Sequence, residues 1–166
     1  MSQLKRYFPF PELINDVAAR LVATGVLAMT LVSLILVVTD NFYVYIPLSM
    51  LLYGFAARVL FGPKFSPLAI IVTKLIVPNT SFQERYVPGP PKRFAQMVGL
   101  MTSVIILLSL IAGLTYLSVT FLAILSVFAF LESALGYCFG CKIFKTLITL
   151  GLIPQSTCEL CADYDY

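Results

Sequence analysis

Four long apolar runs, about residues 17–39, 43–61, 94–119 and 121–141, leave this chain few folds to choose from. Each is near the 20 or so apolar residues that a helix needs to cross a bilayer. Within hydrocarbon every backbone N–H and C=O must be paired inside the protein, so runs of this kind become helices. The chain is 60% hydrophobic and only 11% charged, whereas soluble domains carry about 25% charged residues. The mean hydropathy is +0.95. The expected fold class is therefore all-α, a four-transmembrane-helix bundle in a lipid bilayer. At 166 residues, four spans leave no room for a folded soluble domain as well.

Punctuation along the chain supplies the rest. The segment from Met1 to Pro11 lacks an apolar core and a small-residue cleavage site, so it does not read as a cleaved signal peptide. Asn15 or Asp16 is placed to cap the first span. Arg20, its single charge, is near enough to the start to snorkel outward. Asp40-Asn41-Phe42 is short enough to make spans one and two a hairpin. Ser66-Pro67 opens an apolar segment, 66–77, too short to span and suited to a helix lying in the interface. Residues 79–92 read as a polar, proline-rich loop. A turn is expected near Leu117–Thr120. Residues 142–153 have helical apolar spacing and make a second interfacial helix. The membrane domain is thus expected over 1–153, with a tail at 154–166.

Basic residues divide the two faces. The links near Asp40 and near Leu117–Thr120 contain no Lys or Arg, and all eleven basic residues lie towards the other side. By the positive-inside rule both termini, the central loop and every cysteine face the cytoplasm. In that reducing compartment structural disulfides are not expected.

The cysteines are the candidate chemistry. All four fall in two C-x-x-C pairs, Cys138/Cys141 and Cys158/Cys161. One reading is thiol chemistry: a pair that cycles between dithiol and disulfide, or a thiolate that carries sulfur, with Lys142 and Lys145 favouring the thiolate. Another is metal. The spacing C-x2-C-x16-C-x2-C fits a four-thiolate zinc site, and four thiolates also suit an iron–sulfur centre or a carrier of soft metal ions. Against this, an intervening helix of about twelve residues would hold the pairs about 18 Å apart. A third reading makes Cys138 and Cys141 small apolar packing residues. Whether span four runs through Cys141 or breaks at Gly136–Gly140 is left open. An unbroken helix puts the thiols at its negative end; a break puts them at the positive start of the next helix.

A polar pocket is expected at the same face. Glu132 is the one acid deep inside an apolar run, and intramembrane carboxylates point to function. Arg58 and Arg20 are its candidate partners. Arg93 could hold a phosphate, a substrate anion or Glu132, and Gln96 sits beside it on the third span. Arg85 and Lys92 read as solvated charges. On one continuous helix Glu132, Gly136 and Gly140 share a face within about 80° at about 100° per residue, with the cysteines pointing away. Only a break after Gly136 brings them together.

At Pro91-Lys92-Arg93-Phe94-Ala95-Gln96 and Leu135-Gly136-Tyr137-Cys138-Phe139-Gly140-Cys141 the chain resembles a family of small bacterial four-span membrane proteins of unknown function. Its members carry P-x-R-F-A-Q before the third span and L-G-[FY]-C-x-G-C at the end of the fourth. The resemblance covers nearly the whole chain. It implies a bacterial cytoplasmic membrane and, from the genes often found beside members, a thioredoxin-like or sulfurtransferase partner. Glu132 stands where members often have asparagine, and the tail pair belongs to only some of them.

The sequence contains no histidine, P-loop, Ser/His/Asp set or dinucleotide glycine motif. Its basic residues are spread along a membrane face, so nucleic acid is not an expected partner. The oligomeric state is open, a homo-oligomer included. The preferred reading is a membrane thiol protein that exchanges electrons or sulfur with a cytoplasmic partner through Cys138, Cys141, Cys158 and Cys161. Glu132, Arg58, Arg93, Gln96 and Lys142 would form its pocket. The alternative is a metal-binding membrane protein with the four cysteines as ligands.

Overall fold

The structure, a computed structural model, describes residues 13–77 and 85–152, the Lys64 side chain excepted. The fold is all-α, and the described residues include four helices long and apolar enough to cross a membrane. Strand β1 (Leu13–Asn15) leads into helix α1 (Asp16–Val38). A short 3-10 turn at Phe42–Val44 opens α2 (Tyr45–Phe61). Helix α3 (Pro67–Ile71) widens into a π-helical turn at Val72–Ile76. Strand β2 (Tyr86–Pro88) opens α4 (Gly89–Ile111). Helix α5 (Thr115–Phe130) ends in a π-helical turn at Leu131–Leu135, and α6 (Phe139–Thr149) follows.

The spans pack as a ring in which α1 adjoins α2 and α5, and α4 closes the ring between those two. Helix α6 lies on α4. The inside of the ring combines large apolar residues, Leu48, Leu51, Ile106 and Leu122 among them, with small hydroxylic ones. Thr30, Ser33, Ser103, Ser118 and Ser126 are buried, while Leu31, Ile35, Met101, Leu108 and Phe130 face outward. That is the arrangement of helices packed within lipid, where small residues let backbones approach and large apolar ones meet the acyl chains. The hydroxyls cost little there because each bonds within its own helix. Ser33 Oγ donates to the Met29 carbonyl at 2.8 Å and Ser103 Oγ to that of Gly99 at 2.8 Å. Gly99 has its own reason: a Cβ there would come within 2.5 Å of the Phe55 ring.

The third span starts earlier than expected, at Gly89 rather than Phe94. Pro90 and Pro91 occupy its first turn, where no N–H is needed for the helix ladder. The turn between spans three and four lies at Ala112–Leu114, not at Leu117–Thr120. Gly113, at φ +72°, ends α4 there. Its N–H donates to Leu110 O, and that of Leu114 to Ser109 O, the closing pattern in which a left-handed residue ends a helix. Span four consequently runs Thr115–Leu135 rather than 121–141. The expected polar loop at 79–92 also supplies structure: β2 pairs antiparallel with β1, Leu13 opposite Pro88 and Asn15 opposite Tyr86. Asp16 N donates to Arg85 O at 2.7 Å, so this ribbon draws the starts of α1 and α4 together.

Candidate functional site

Gly136 decides the site. At φ +68° it is left-handed, and its N–H donates to Glu132 O while that of Tyr137 reaches Leu131 O. Span four stops there. The end is secured from α1: Arg20 Nε donates to Ser133 O at 3.4 Å and Nη2 to Ala134 O at 2.9 Å. Arg20 therefore reaches the open carbonyls at the end of span four. A guanidinium is well matched to that negative end.

The chain restarts two residues later. Cys138 is extended (φ −90°, ψ 100°) and is the N-cap of α6; its Sγ accepts from Cys141 N at 3.3 Å. Cys141 lies one turn on, and the two cysteines are paired as a disulfide with Cα atoms 5.2 Å apart, an ordinary separation for such a bridge. The open alternative at Gly136–Gly140 is thus resolved as a break. Cys138 is 4% exposed and Cys141 0%. Helix α6 is held by Phe139 stacking on Phe128 at 4.8 Å between centroids and by Phe144 against Phe94 at 5.6 Å. Gly140 has no room for a side chain: a Cβ would sit 2.5 Å from Ala95 Cβ and 2.6 Å from Ala95 Cα. The break also dissolves the single face expected for Glu132, Gly136 and Gly140.

Behind the thiols lies a cavity of about 360 Å3, largely apolar. It runs from Cys138, Phe139 and Gly140 past Glu132, Lys92, Arg58 and Gln96 and on between α1, α4 and α5 to Val26 and Leu125. Glu132 and Cys138 therefore share one cavity, as the break requires.

Lys92 corrects the sequence reading most. It was expected to be solvated, yet its side chain is 4% exposed. Its Nζ lies 2.9 Å from Glu132 Oε1 and 3.2 Å from Asp16 Oδ1. Neither Arg58 nor Arg20 holds Glu132; the lysine does. The capping choice resolves in the same place. Asn15 Oδ1 accepts from Val17 N and Ala18 N, which leaves Asp16 free to face Lys92.

Arg58 is buried, with Cζ 4.8 Å from the Phe55 ring centroid. Among the described residues its Nε has no hydrogen-bond partner, and neither does the buried Oε1 of Gln96. Arg93 is turned elsewhere: its Nε donates to Val59 O at 3.0 Å, tying the start of α4 to the end of α2. Lys142 is exposed, with Nζ 4.7 Å from the Tyr137 ring centroid. The cavity wall thus includes Glu132, Arg58 and Gln96 of the expected pocket, omits Arg93 and Lys142, and adds Lys92. Cys158 and Cys161 lie outside the described residues. Among the described residues no three His, Cys, Asp or Glu side chains cluster closely enough to hold a metal ion.

One signal in the sequence could have found Lys92. It falls in the first turn of a helix opened by Pro90-Pro91, on the face that also carries Gln96. Asp16 gave no such signal, because its partner is reached only through the β1–β2 pairing.

No curated protein and no solved structure matches the chain. A family model does, over residues 14–149, an interval that includes Asp16, Arg58, Lys92, Glu132, Cys138 and Cys141. The chain belongs to the family described as a domain of unknown function (DUF4395).

Proposed function

We propose that this is a membrane-embedded dithiol protein that exchanges electrons, through Cys138 and Cys141, with a cytoplasmic thioredoxin-like or sulfurtransferase partner. One observation carries the reading. The left-handed turn at Gly136 sets Cys138 at the start of α6 and Cys141 one turn on, within bridging distance. Thiolates are favoured at a helix N-terminus, and a C-x-x-C pair there is suited to reversible oxidation. The bond that forms on oxidation joins the two Sγ atoms as two electrons and two protons leave the pair; the partner's dithiol returns them when it reduces the bridge and is itself oxidised to a disulfide. Sulfur transfer would use the same thiolates singly, and the close pairing favours the dithiol cycle.

The site end is assigned to the cytoplasm of a bacterial cell. The support is the basic residues gathered there, the absence of Lys and Arg from the turns at Asp40–Asn41 and Ala112–Leu114, and the family resemblance. In the reducing cytoplasm a permanent disulfide would be lost, whereas a cycling one is renewed each turnover. In this reading Cys158 and Cys161 relay between the buried pair and the soluble partner.

The test is thiol alkylation of purified protein under reducing and oxidising conditions, with metal analysis of the same sample. Metal-free protein whose Cys138 and Cys141 switch reversibly between alkylatable and blocked is the expected result. Stoichiometric zinc or iron that disappears in Cys158→Ser would replace the dithiol reading with a four-thiolate metal site. Labelling of Cys158 by an impermeant thiol reagent outside intact cells would reverse the orientation.

A further inference from the structure

From the cavity we infer that the membrane-side electron partner is a lipid-soluble quinone whose ring binds beside Cys138, an inference that rests on the dithiol reading above. Three observations converge. The cavity wall includes Cys138, while Cys141 is wholly buried, so a molecule in the cavity meets the pair at Cys138. The polar end offers a donor without a partner, Arg58 Nε, and an acceptor without a partner, Gln96 Oε1. Buried polar atoms are costly when unpaired, and a quinone oxygen accepts from the first while the corresponding quinol hydroxyl donates to the second. Finally, the cavity continues along α1 from Ala18 to Val26, about 12 Å at 1.5 Å per residue. It is apolar there and lies between spans, which fits a prenyl tail.

Charge argues against an anionic headgroup in the same place. Among the described residues Arg58 and Lys92 are the cations on the cavity wall, and Lys92 is already engaged by Glu132 and Asp16. A phosphate would face the Glu132 carboxylate on the cavity wall. A neutral carbonyl ring meets no such repulsion.

The step balances. The two thiols lose their S–H bonds, an S–S bond forms between Cys138 and Cys141, and two electrons and two protons reduce the quinone to quinol. Glu132 is the carboxylate on the cavity wall placed to pass one of those protons. The soluble dithiol partner then re-reduces the pair.

The experiment uses the full chain in lipid nanodiscs, reduced, freed of reductant and kept from oxygen. A short-tailed benzoquinone and a short-tailed naphthoquinone are added separately, and quinone absorbance is followed together with alkylation of Cys138 and Cys141. The expected result is two equivalents of quinone reduced per protein, one from each C-x-x-C pair, as Cys138 and Cys141 become blocked; the ring that reacts identifies the quinone class. Arg58→Gln and Gln96→Leu should raise the half-saturating concentration about tenfold, the effect of one lost hydrogen bond to a buried group. Ala19→Phe, which fills the cavity, should slow the reaction further. Diamide should bridge the thiols in all of these proteins, which shows that the variants are folded and the pair competent. If diamide bridges the pair and neither quinone is reduced, the quinone inference falls and the dithiol reading stands. Equal quinone reduction in wild type and all three variants would place the reaction outside the cavity and also overturn it. Failure of diamide itself would remove the dithiol reading and the inference with it.

Discussion

The two ends of the bundle solve the same problem in opposite ways. At one end α1 and α2 are joined through Asp40 and Asn41, and α4 and α5 through Ala112, Gly113 and Leu114. Both joins are closed mainly by backbone, helped at the first by Thr39 Oγ1 donating to Ile35 O and Asn41 Oδ1 accepting from Tyr43 N. Asp40 (φ 49°) and Gly113 (φ 72°) are left-handed, and the following N–H groups reach back to Leu36 O and Ser109 O. At the other end the chain also stops on a left-handed residue, Gly136, but there a guanidinium secures the carbonyls, a ribbon joins two helix starts, and a lysine binds two carboxylates. Identical backbone chemistry thus produces a passive cap at one end and a site at the other. The difference lies in what the neighbouring helices present, and charges buried near the edge of a membrane are not kept without partners.

The comparison can be broken most sharply at the thiols. Cys138→Ser should abolish diamide-induced protection of Cys141 completely, read as full alkylation under oxidising conditions. A substitution such as Asn41→Ser at the opposite end should leave the switch intact.

Removal of Lys92 should be next in size. Lys92→Met leaves Glu132 and Asp16 facing each other without the cation, and stability should fall by about 3 kcal/mol, the lower range for breaking a buried pair. Glu132 is 24% exposed on its side chain, which keeps the cost at that lower range. Thermal or denaturant unfolding in detergent measures it. The double variant Lys92→Met with Glu132→Gln should recover part of the loss, since coupled partners are not additive.

Gly140→Val tests the seat of α6. Its side chain would run into Ala95 Cβ and Cα, backbone included, so the helix must move off α4 at about 2 kcal/mol, typical of overpacking. The measurement is faster alkylation of the reduced cysteines, because their burial depends on that contact.

The smallest effects make the cleanest comparison of the two ends. Gly136→Ala and Gly113→Ala place alanine at nearly the same positive φ and should each cost about 1 kcal/mol. Nothing lies within 4 Å of a Cβ at Gly113, whereas Arg20 Cζ is 3.5 Å from one at Gly136. Equal losses of stability are therefore expected, with altered thiol oxidation only in Gly136→Ala. Equal oxidation in both would show that the turn at Gly136 is as passive as that at Gly113.

Much of the bundle was legible because the bilayer is a simple solvent. Runs of about 20 apolar residues can satisfy their backbone there only as helices, so four spans follow from hydropathy and the charges gather at one end. The boundaries were less legible. Pro90 and Pro91 read as loop residues until their place in a first helical turn shows that they open α4. Gly113 gives no clear signal, because an isolated glycine within an apolar run does not announce a turn.

What the sequence determined by itself is the class of fold, the number of spans and the C-x-x-C pair, all of which depend on local composition and spacing. What only the tertiary structure decided is the site. The Lys92–Glu132–Asp16 cluster joins residues from the starts of α1 and α4 and the end of span four. Arg20 reaches Ser133 and Ala134 across more than a hundred residues of chain. The break at Gly136 turns Cys138 onto a cavity shared with Glu132. Such contacts hold because a buried charge or an open helix end must find a partner somewhere, and which partner depends on how the helices come to lie side by side.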